Sequence, residues 1–216
     1  MRLIFLGPPG AGKGTQAEFI CRDFSIVQLS TGDLLRNSIK IGSELGKAAD
    51  SFMKSGELVP DDIMIDIIKE SLIKPELANG YLLDGFPRTA PQAKELDKLL
   101  IEMNQKLDAV LALQVNNEEL VQRLTSRRTC KVCGKSYHLE FNPPKIEGLC
   151  DLDGSELFHR DDDKEGPIRI RLKVYEIQTF PLINYYEKQG LIKFIDGKGN
   201  IKEIYSNIFS ILNNLK

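Results

Sequence analysis

A glycine-rich loop set between a strand and a helix constrains this chain more than any other feature. The run "LIFLGPPGAGKGTQAEFI" carries Gly7-x-x-x-x-Gly12-Lys13 directly after the apolar Leu3–Leu6 and directly before an amphipathic segment, Lys13–Asp23. Glycines at this spacing let consecutive backbone N–H groups curl around phosphate oxygens, and the helix start adds its partial positive charge. Lys13 is placed to reach the outer phosphates of a nucleotide. One position departs from the usual pattern. Gly14 stands where a Ser or Thr hydroxyl normally ligates magnesium, and Thr15 follows one residue late. Water-mediated coordination through Asp84, which ends an apolar run, therefore becomes the expectation.

Further strand-like runs at Ile26–Leu29, Tyr81–Leu83, Ala109–Val115 and Leu191–Ile195 alternate with helical patterns. The latter cover Asp62–Ile73, Pro91–Met103, Glu118–Arg128, Ile168–Glu187 and Lys202–Leu212. This alternation predicts an α/β domain, a parallel sheet flanked by helices. Two stretches break the rhythm: Thr31–Val59 reads as short helices with several glycines, and Thr129–Lys164 holds paired prolines, cysteines and the acidic run "DDDKE". Both read as insertions. The expected division is a core of residues 1–29, 60–125 and 165–216, one insertion at 30–59 and a second at 126–164.

A chain of 216 residues supports one substantial core with small lobes attached. Its net charge of -2 excludes a general nucleic-acid or membrane-surface binder, so a polyanion must be held by a local cluster of cations. No stretch approaches the ~20 apolar residues of a membrane span. The opening "MRLIFLGPPG" is too short in its apolar part for a secretory signal, and the chain reads as cytoplasmic, where thiols stay reduced. Cys21 falls on the apolar face of its helical segment and reads as core packing.

The remaining three cysteines form a pattern. Cys130-x-x-Cys133 and Cys150-x-x-Asp153 are each followed by glycine, Gly134 and Gly154. A tight turn of this kind aims two ligands at one metal, and zinc accepts carboxylate oxygen beside thiolate in a tetrahedral site. A redox pair would open a helix after a strand, and that context is missing. With no coordination position left open for substrate, zinc here is assigned to folding. A lobe of roughly thirty-five residues buries too little apolar surface to stand alone.

The runs "GPPGAGKGTQA", "STGDLLR" and "LLDGFPRTAPQA", followed by "RRTC", "HRDDD" and "IRIRL", resemble the adenylate kinase family, in its bacterial long-lid, zinc-binding form. The resemblance extends over nearly the whole chain. It implies a P-loop core, a small helical acceptor-binding insertion and a lid, and the magnesium-dependent transfer of a phosphoryl group from ATP to AMP. Gly10, Ala11, Gly12, Lys13, Gly14 and Thr15 would cradle the donor phosphates. Arg36 and Arg88 would grip the AMP phosphate. Arg127 would bind the transferring group, with Arg160 and Arg171 closing around it, and Arg123, one helical turn earlier on the same face, would lie against the donor adenine. Ser136, Tyr137 and Gly199 would add donor-base contacts. Thr31, Gln92, the segment Glu57, Leu58, Val59, and Gly85 would read the acceptor base, and Phe86-Pro87, cis in this family, would shape the turn that carries Arg88. Asp84 would face magnesium, with Asp33 a weaker candidate that also suits helix capping. The acceptor is a phosphate oxygen already ionised near neutral pH, so no catalytic base is needed. His138 and His159 read as structural or surface residues.

Three other readings stand beside this one. A kinase for UMP or CMP would share most of the scaffold, and a GTP-using donor site is compatible with the residues. A nucleotide-regulated zinc-ribbon module would want a basic surface around the cysteines, whereas the surrounding sequence is acidic. No second subunit is required by any of these residues, and a monomer is expected.

Overall fold

A computed structural model describes residues 1–215. The phosphate-loop segment folds as expected, with β1 (Arg2–Leu6) leading through the loop to α1 (Lys13–Phe24). There follow β2 (Val27–Ser30), α2 (Thr31–Lys40), α3 (Glu44–Ser55), α4 (Asp61–Leu72), β3 (Tyr81–Asp84) and α5 (Ala90–Glu102). Next come β4 (Ala109–Gln114), α6 (Asn117–Thr125), β5 (Arg127–Cys130), β6 (Ser136–His138) and β7 (Leu157–Phe158). The chain closes with α7 (Glu165–Val174), α8 (Leu182–Glu187), β8 (Ile192–Asp196) and α9 (Ile201–Asn213).

Five strands form a parallel sheet in the order β2-β3-β1-β4-β8. Alternate side chains leave opposite faces of a strand, so a parallel sheet covered on both sides needs two cores. Ile4, Leu6, Tyr81, Leu83 and Val110 pack on one face against Ile68 of α4, Leu96 of α5 and Tyr186 of α8. Leu3, Phe5, Leu82, Ala109 and Leu111 pack on the other, against Ile20 of α1 and Ile208 of α9. Cys21 packs at the edge of that second core, as read from its helix face. Among the described residues no helix is long and apolar enough to cross a membrane.

The first irregular stretch forms the expected short helices, and the second forms a sheet that the sequence reading did not foresee. α2 and α3 lie between β2 and β3, each started by a serine whose hydroxyl accepts a backbone N–H: Ser30 from Asp33 and Ser43 from Gly46. The second stretch holds a separate antiparallel sheet, β6-β5-β7. The two meet where the Lys40 ammonium donates to the Lys131 carbonyl at 3.3 Å.

Two helix expectations need correction. The helix expected over Glu118–Arg128 stops at Thr125, and Arg127 opens β5, paired to His138. Arg123 and Arg127 therefore do not share a helix face. Periodicity allowed the longer helix, but the backbone of "RRTC" finds strand partners far along the chain, which a local pattern cannot foresee. The helix expected over Ile168–Glu187 is interrupted by a π turn at Tyr175–Thr179, just before Pro181. Proline lacks the N–H that would continue the ladder and its ring crowds the carbonyl four residues back.

Candidate active site

A cavity of about 710 Å³ opens at the carboxyl end of the parallel sheet, where ligands of open α/β sheets bind. One wall is the phosphate loop, Gly10 through Thr15. Gly12 sits at the helix N-cap with φ +95°, a left-handed conformation that a side chain would strain. The Lys13 ammonium lies 2.7 Å from the Gly7 carbonyl and 3.0 Å from that of Pro8, inside the loop. Burial, with the repulsion of Arg88, Arg171 and Arg127 behind it, pushes its pKa down to about 8, although Asp84 pulls the other way.

Asp84 ends β3 beside Ser30 of β2 and lines the same cavity. Its Oδ2 accepts from Gln28 Nε2 at 3.1 Å, a contact that sequence reasoning missed. A hard carboxylate oxygen facing a phosphate loop is a donor set that suits magnesium. Asp33 instead pairs with Arg36 at 2.5 Å, and its N–H caps onto Ser30, in keeping with the capping role read from "STGDLL".

Arginines from several parts of the chain line this cavity: Arg36 from α2, Arg88 from the turn after β3, Arg123 and Arg127 from either side of the α6–β5 junction, and Arg160 and Arg171 further on. Lys13 and Lys202 add to them, against Glu18, Asp33 and Asp84 as the lining carboxylates. A chain of net charge -2 thus concentrates its cations in one cleft. Just behind it lie two aspartates that the sequence reading passed over as part of "HRDDD". Asp163, fully buried, takes a forked pair from Arg127 at 2.7 and 2.5 Å. Asp162 takes the same fork from Arg160 at 2.9 and 2.5 Å, and Arg171 bridges both carboxylates at 3.0 and 3.1 Å. Burial alone would raise the Asp162 pKa, but Arg160, Arg171 and Arg127 outweigh it and hold the carboxyl well below its ordinary range. Arg171 in turn is lowered to about 10, chiefly by burial. The signal was present in sequence: arginines held out of water require carboxylates close by.

The cavity is also lined by Arg123, His138, Phe141, Asn142, Ser136, Tyr137 and Gly199. The Arg123 guanidinium lies 5.9 Å from the Phe141 ring, and His138 packs on the same ring at 4.5 Å between centroids. Phe141 was not foreseen. His138 Nδ1 accepts the N–H groups of Glu140 and Phe141, both at 3.1 Å, a structural use as expected. His159 is exposed.

A second cavity of about 60 Å³ adjoins the first, lined by Thr31, Glu57, Leu58, Val59, Gly85 and Gln92, with Arg36, Arg88, Arg160 and Arg171 at its border. Gly85 has φ +83°, and a Cβ there would come within 2.7 Å of the Thr31 hydroxyl and 2.8 Å of the Arg88 guanidinium. Only glycine fits. The Gly85 carbonyl accepts from Thr31 Oγ1 at 2.9 Å and from Arg88 Nε at 2.8 Å, and the Arg88 carbonyl accepts from Thr179 Oγ1 in the π turn at 2.8 Å. The Phe86-Pro87 bond is cis. Pro87 lines the larger cavity, whereas the Phe86 ring is buried in the first core and lines neither. Its side chain is therefore a packing group.

The thiols of Cys130, Cys133 and Cys150 and a carboxylate oxygen of Asp153 all lie within 4.8 Å of one another. Cys133 and Cys150 sulfurs are 3.6 Å apart, and Cys130 sulfur is 3.5 Å from the Asp153 oxygens. A tetrahedron with Zn–S bonds of about 2.3 Å has edges of about 3.8 Å, so the spacing fits. Cys130 sulfur also accepts the N–H groups of Val132 and Cys133 at 3.3 Å, while Ser155 orients the Asp153 carboxylate.

The family model for adenylate kinase matches residues 5–191. The chain belongs to the adenylate kinase family. It is 57% identical over 212 residues to the adenylate kinase of Methanothrix thermoacetophila, covering 98% of each chain. It is 52% identical over 212 residues to that of Carboxydothermus hydrogenoformans, covering 98% of this chain and 99% of the other. With that of Archaeoglobus fulgidus it shares 51% over 216 residues, the whole of both chains. Membership makes this chain a phosphotransferase acting on nucleoside monophosphates, with a parallel P-loop sheet to match.

Proposed function

We propose that this enzyme catalyses ATP + AMP = 2 ADP by holding two nucleotides in the arginine-lined cleft, phosphate to phosphate. The observation that carries the reading is the convergence of the phosphate loop with Arg88, Arg127, Arg160 and Arg171 on one cavity in an otherwise weakly acidic chain. Two anions repel, and their approach is what the site must overcome. Arg36 and Arg88 grip the acceptor phosphate, each offering a planar fork of donors. Arg127, Arg160 and Arg171 stabilise the transferring group, and the Asp162–Asp163 pair keeps the three guanidinium groups spaced and oriented. Lys13 and the loop N–H groups of Gly10 to Thr15 hold the donor phosphates. Arg123 lies along the donor base, with Ser136, Tyr137 and Gly199 beside it, and the 710 Å³ cleft has room for it there. The acceptor base is read in the smaller cavity by Thr31, Gln92 and the segment from Glu57 to Val59. Asp84 would hold Mg2+ through its water shell. Magnesium, when bound, neutralises phosphate charge. Its lid cluster of Cys130, Cys133, Cys150 and Asp153 would hold Zn2+, which supplies a cross-link and takes no part in transfer.

The same reading divides the chain into a core of residues 1–29, 60–125 and 165–216, an acceptor-binding insertion at 30–59 and a lid at 126–164. Every group invoked comes from one chain, in keeping with a monomer, and the free cysteines suit the reducing cytoplasm. No base is needed, since the attacking phosphate oxygen is already ionised.

Purified protein with Mg-ATP, offered AMP, CMP, UMP and GMP separately, tests the proposal. Rapid ADP formation with AMP is expected, reduced about 10³-fold or more in Arg88→Ala. Preferred turnover of UMP or CMP would overturn the acceptor assignment.

A further inference from the structure

This inference deepens the acceptor-base reading and rests on it. Gln92 is only 2% exposed and sits in the first turn of α5, bordering the smaller cavity. Its Oε1 accepts from the Arg88 backbone N–H at 2.7 Å, and its Nε2 donates to Asp61 Oδ1 at 2.7 Å. Asp61, the first residue of α4, lines neither cavity. Its other oxygen accepts from the Thr89 hydroxyl at 2.9 Å, and that hydroxyl accepts the Gln92 N–H at 3.3 Å.

These partners dictate which way the amide faces. A backbone N–H only donates and a carboxylate only accepts. Turning the amide over would set N–H against N–H and oxygen against oxygen, in a buried place where neither is tolerated. The orientation therefore follows from the chemistry of the neighbours. One N–H of Nε2 and one lone pair of Oε1 are left for a base, in a fixed order across the amide.

That order matters for purines. A 6-aminopurine offers a donor at its amino group and an acceptor at N1. A 6-oxopurine offers the reverse, an acceptor at O6 and a donor at N1. A glutamine free to turn over can serve both, whereas a locked one serves a single order. We propose that Asp61 is a positioning residue that, through Gln92, selects 6-aminopurine over 6-oxopurine monophosphates as acceptors.

The test compares AMP and IMP, IMP as substrate or as competitive inhibitor, in the wild type, Asp61→Leu and Asp61→Asn. Leucine keeps the branched skeleton, with bulkier ends, and removes both acceptor oxygens, while asparagine keeps one for Gln92. In Asp61→Leu the AMP preference over IMP is expected to fall at least tenfold, a bidentate pair being a discrimination of about 10- to 100-fold. The KM for AMP is expected to rise about tenfold with kcat changed less than about threefold, and Asp61→Asn to recover most of the preference. An unchanged AMP-to-IMP ratio in Asp61→Leu overturns the proposal. So does an equal loss with both acceptors alongside a lowered Tm, which is the signature of disturbed α4 packing alone. Should the leucine variant fail to fold, Asp61→Ser, whose side chain is too short to reach Gln92, is judged by the same ratio. The wild type separates the two levels: no transfer to AMP defeats the acceptor reading itself, while normal AMP transfer with an unmoved ratio defeats only the role of Asp61.

Discussion

The two sheets of this enzyme are held together by different means. The five-stranded sheet is sandwiched between two apolar cores, with Leu3, Ile4, Tyr81, Leu82 and Leu83 wholly buried. At the three-stranded sheet the buried apolar cluster, among the described residues, is only Cys130, Tyr137 and Cys150, with Leu157 packed alongside. Tyr137 spends its hydroxyl on this cluster, 3.4 Å from Cys150 sulfur and 2.7 Å from the Asp151 N–H. Apolar burial grows with the size of a unit, and so small a sheet cannot draw enough from it. The four side chains clustered there, spaced so that they could hold one metal ion, are proposed to replace the missing core. The arginine–aspartate network spans the two regions, since Arg127 belongs to the three-stranded sheet and Arg171 to α7.

Breaking that junction carries the largest expected effect. Arg171→Met removes a cation from the transferring group and from Asp162 and Asp163 together. We expect kcat to fall about 10³-fold, and a stopped-flow or coupled ADP assay reads it. A fall under tenfold would mean that the junction serves stability alone. Next, Leu82→Ala opens a cavity in the second core and is expected to cost about 3 kcal/mol of global stability by urea denaturation, with metal content unchanged. Third, Cys150→Ser, or chelation, is expected to lower zinc stoichiometry, lower Tm by several degrees and raise proteolytic nicking within residues 126–164 about tenfold. The five-stranded sheet should stay folded. Loss of both sheets in one transition would erase the distinction drawn between them.

The smallest effect concerns Lys13. Its pKa of about 8 lies below the ordinary 10.5, so the buried ammonium costs stability below pH 8, and that cost is relieved as it deprotonates between those values. Bound polyphosphate restores the preference for the charged form. Nucleotide affinity is therefore expected to weaken as pH rises through 8, by at most about tenfold per pH unit, with proton uptake on binding at pH 8.5. Calorimetry in buffers of different ionisation enthalpy measures that uptake. Binding without it would place the ammonium in water.

Much of this was legible from spacing. Gly7 to Thr15 between a strand and a helix, Asp84 at a strand end and the CxxC–CxxD cysteine pattern are local patterns, and the structure puts each in that position. Strands such as Leu3–Leu6 announce themselves because a run buried on both faces is apolar throughout. The boundary at Thr125 was not legible, since "RRTC" suits a helix until strands β6 and β7 offer it pairing partners. Pro181 carried a signal for the break before α8 that the expectation of one helix over Ile168–Glu187 passed over, and nothing local announced the π turn that lets Thr179 reach Arg88.

Residue order along the chain already carried the ingredients: a phosphate loop, arginines in number, a CxxC–CxxD pattern and the alternation that builds a parallel sheet. Tertiary structure alone decided how those groups are held. That Asp162 and Asp163 space the arginines, that Gln28 steadies Asp84, and that Asp61, 31 residues from Gln92, orients its amide are facts about distance in space. Hydrogen bonds act over about 3 Å, and which distant residues come that close is fixed only when the sheet, its helices and the two insertions pack together.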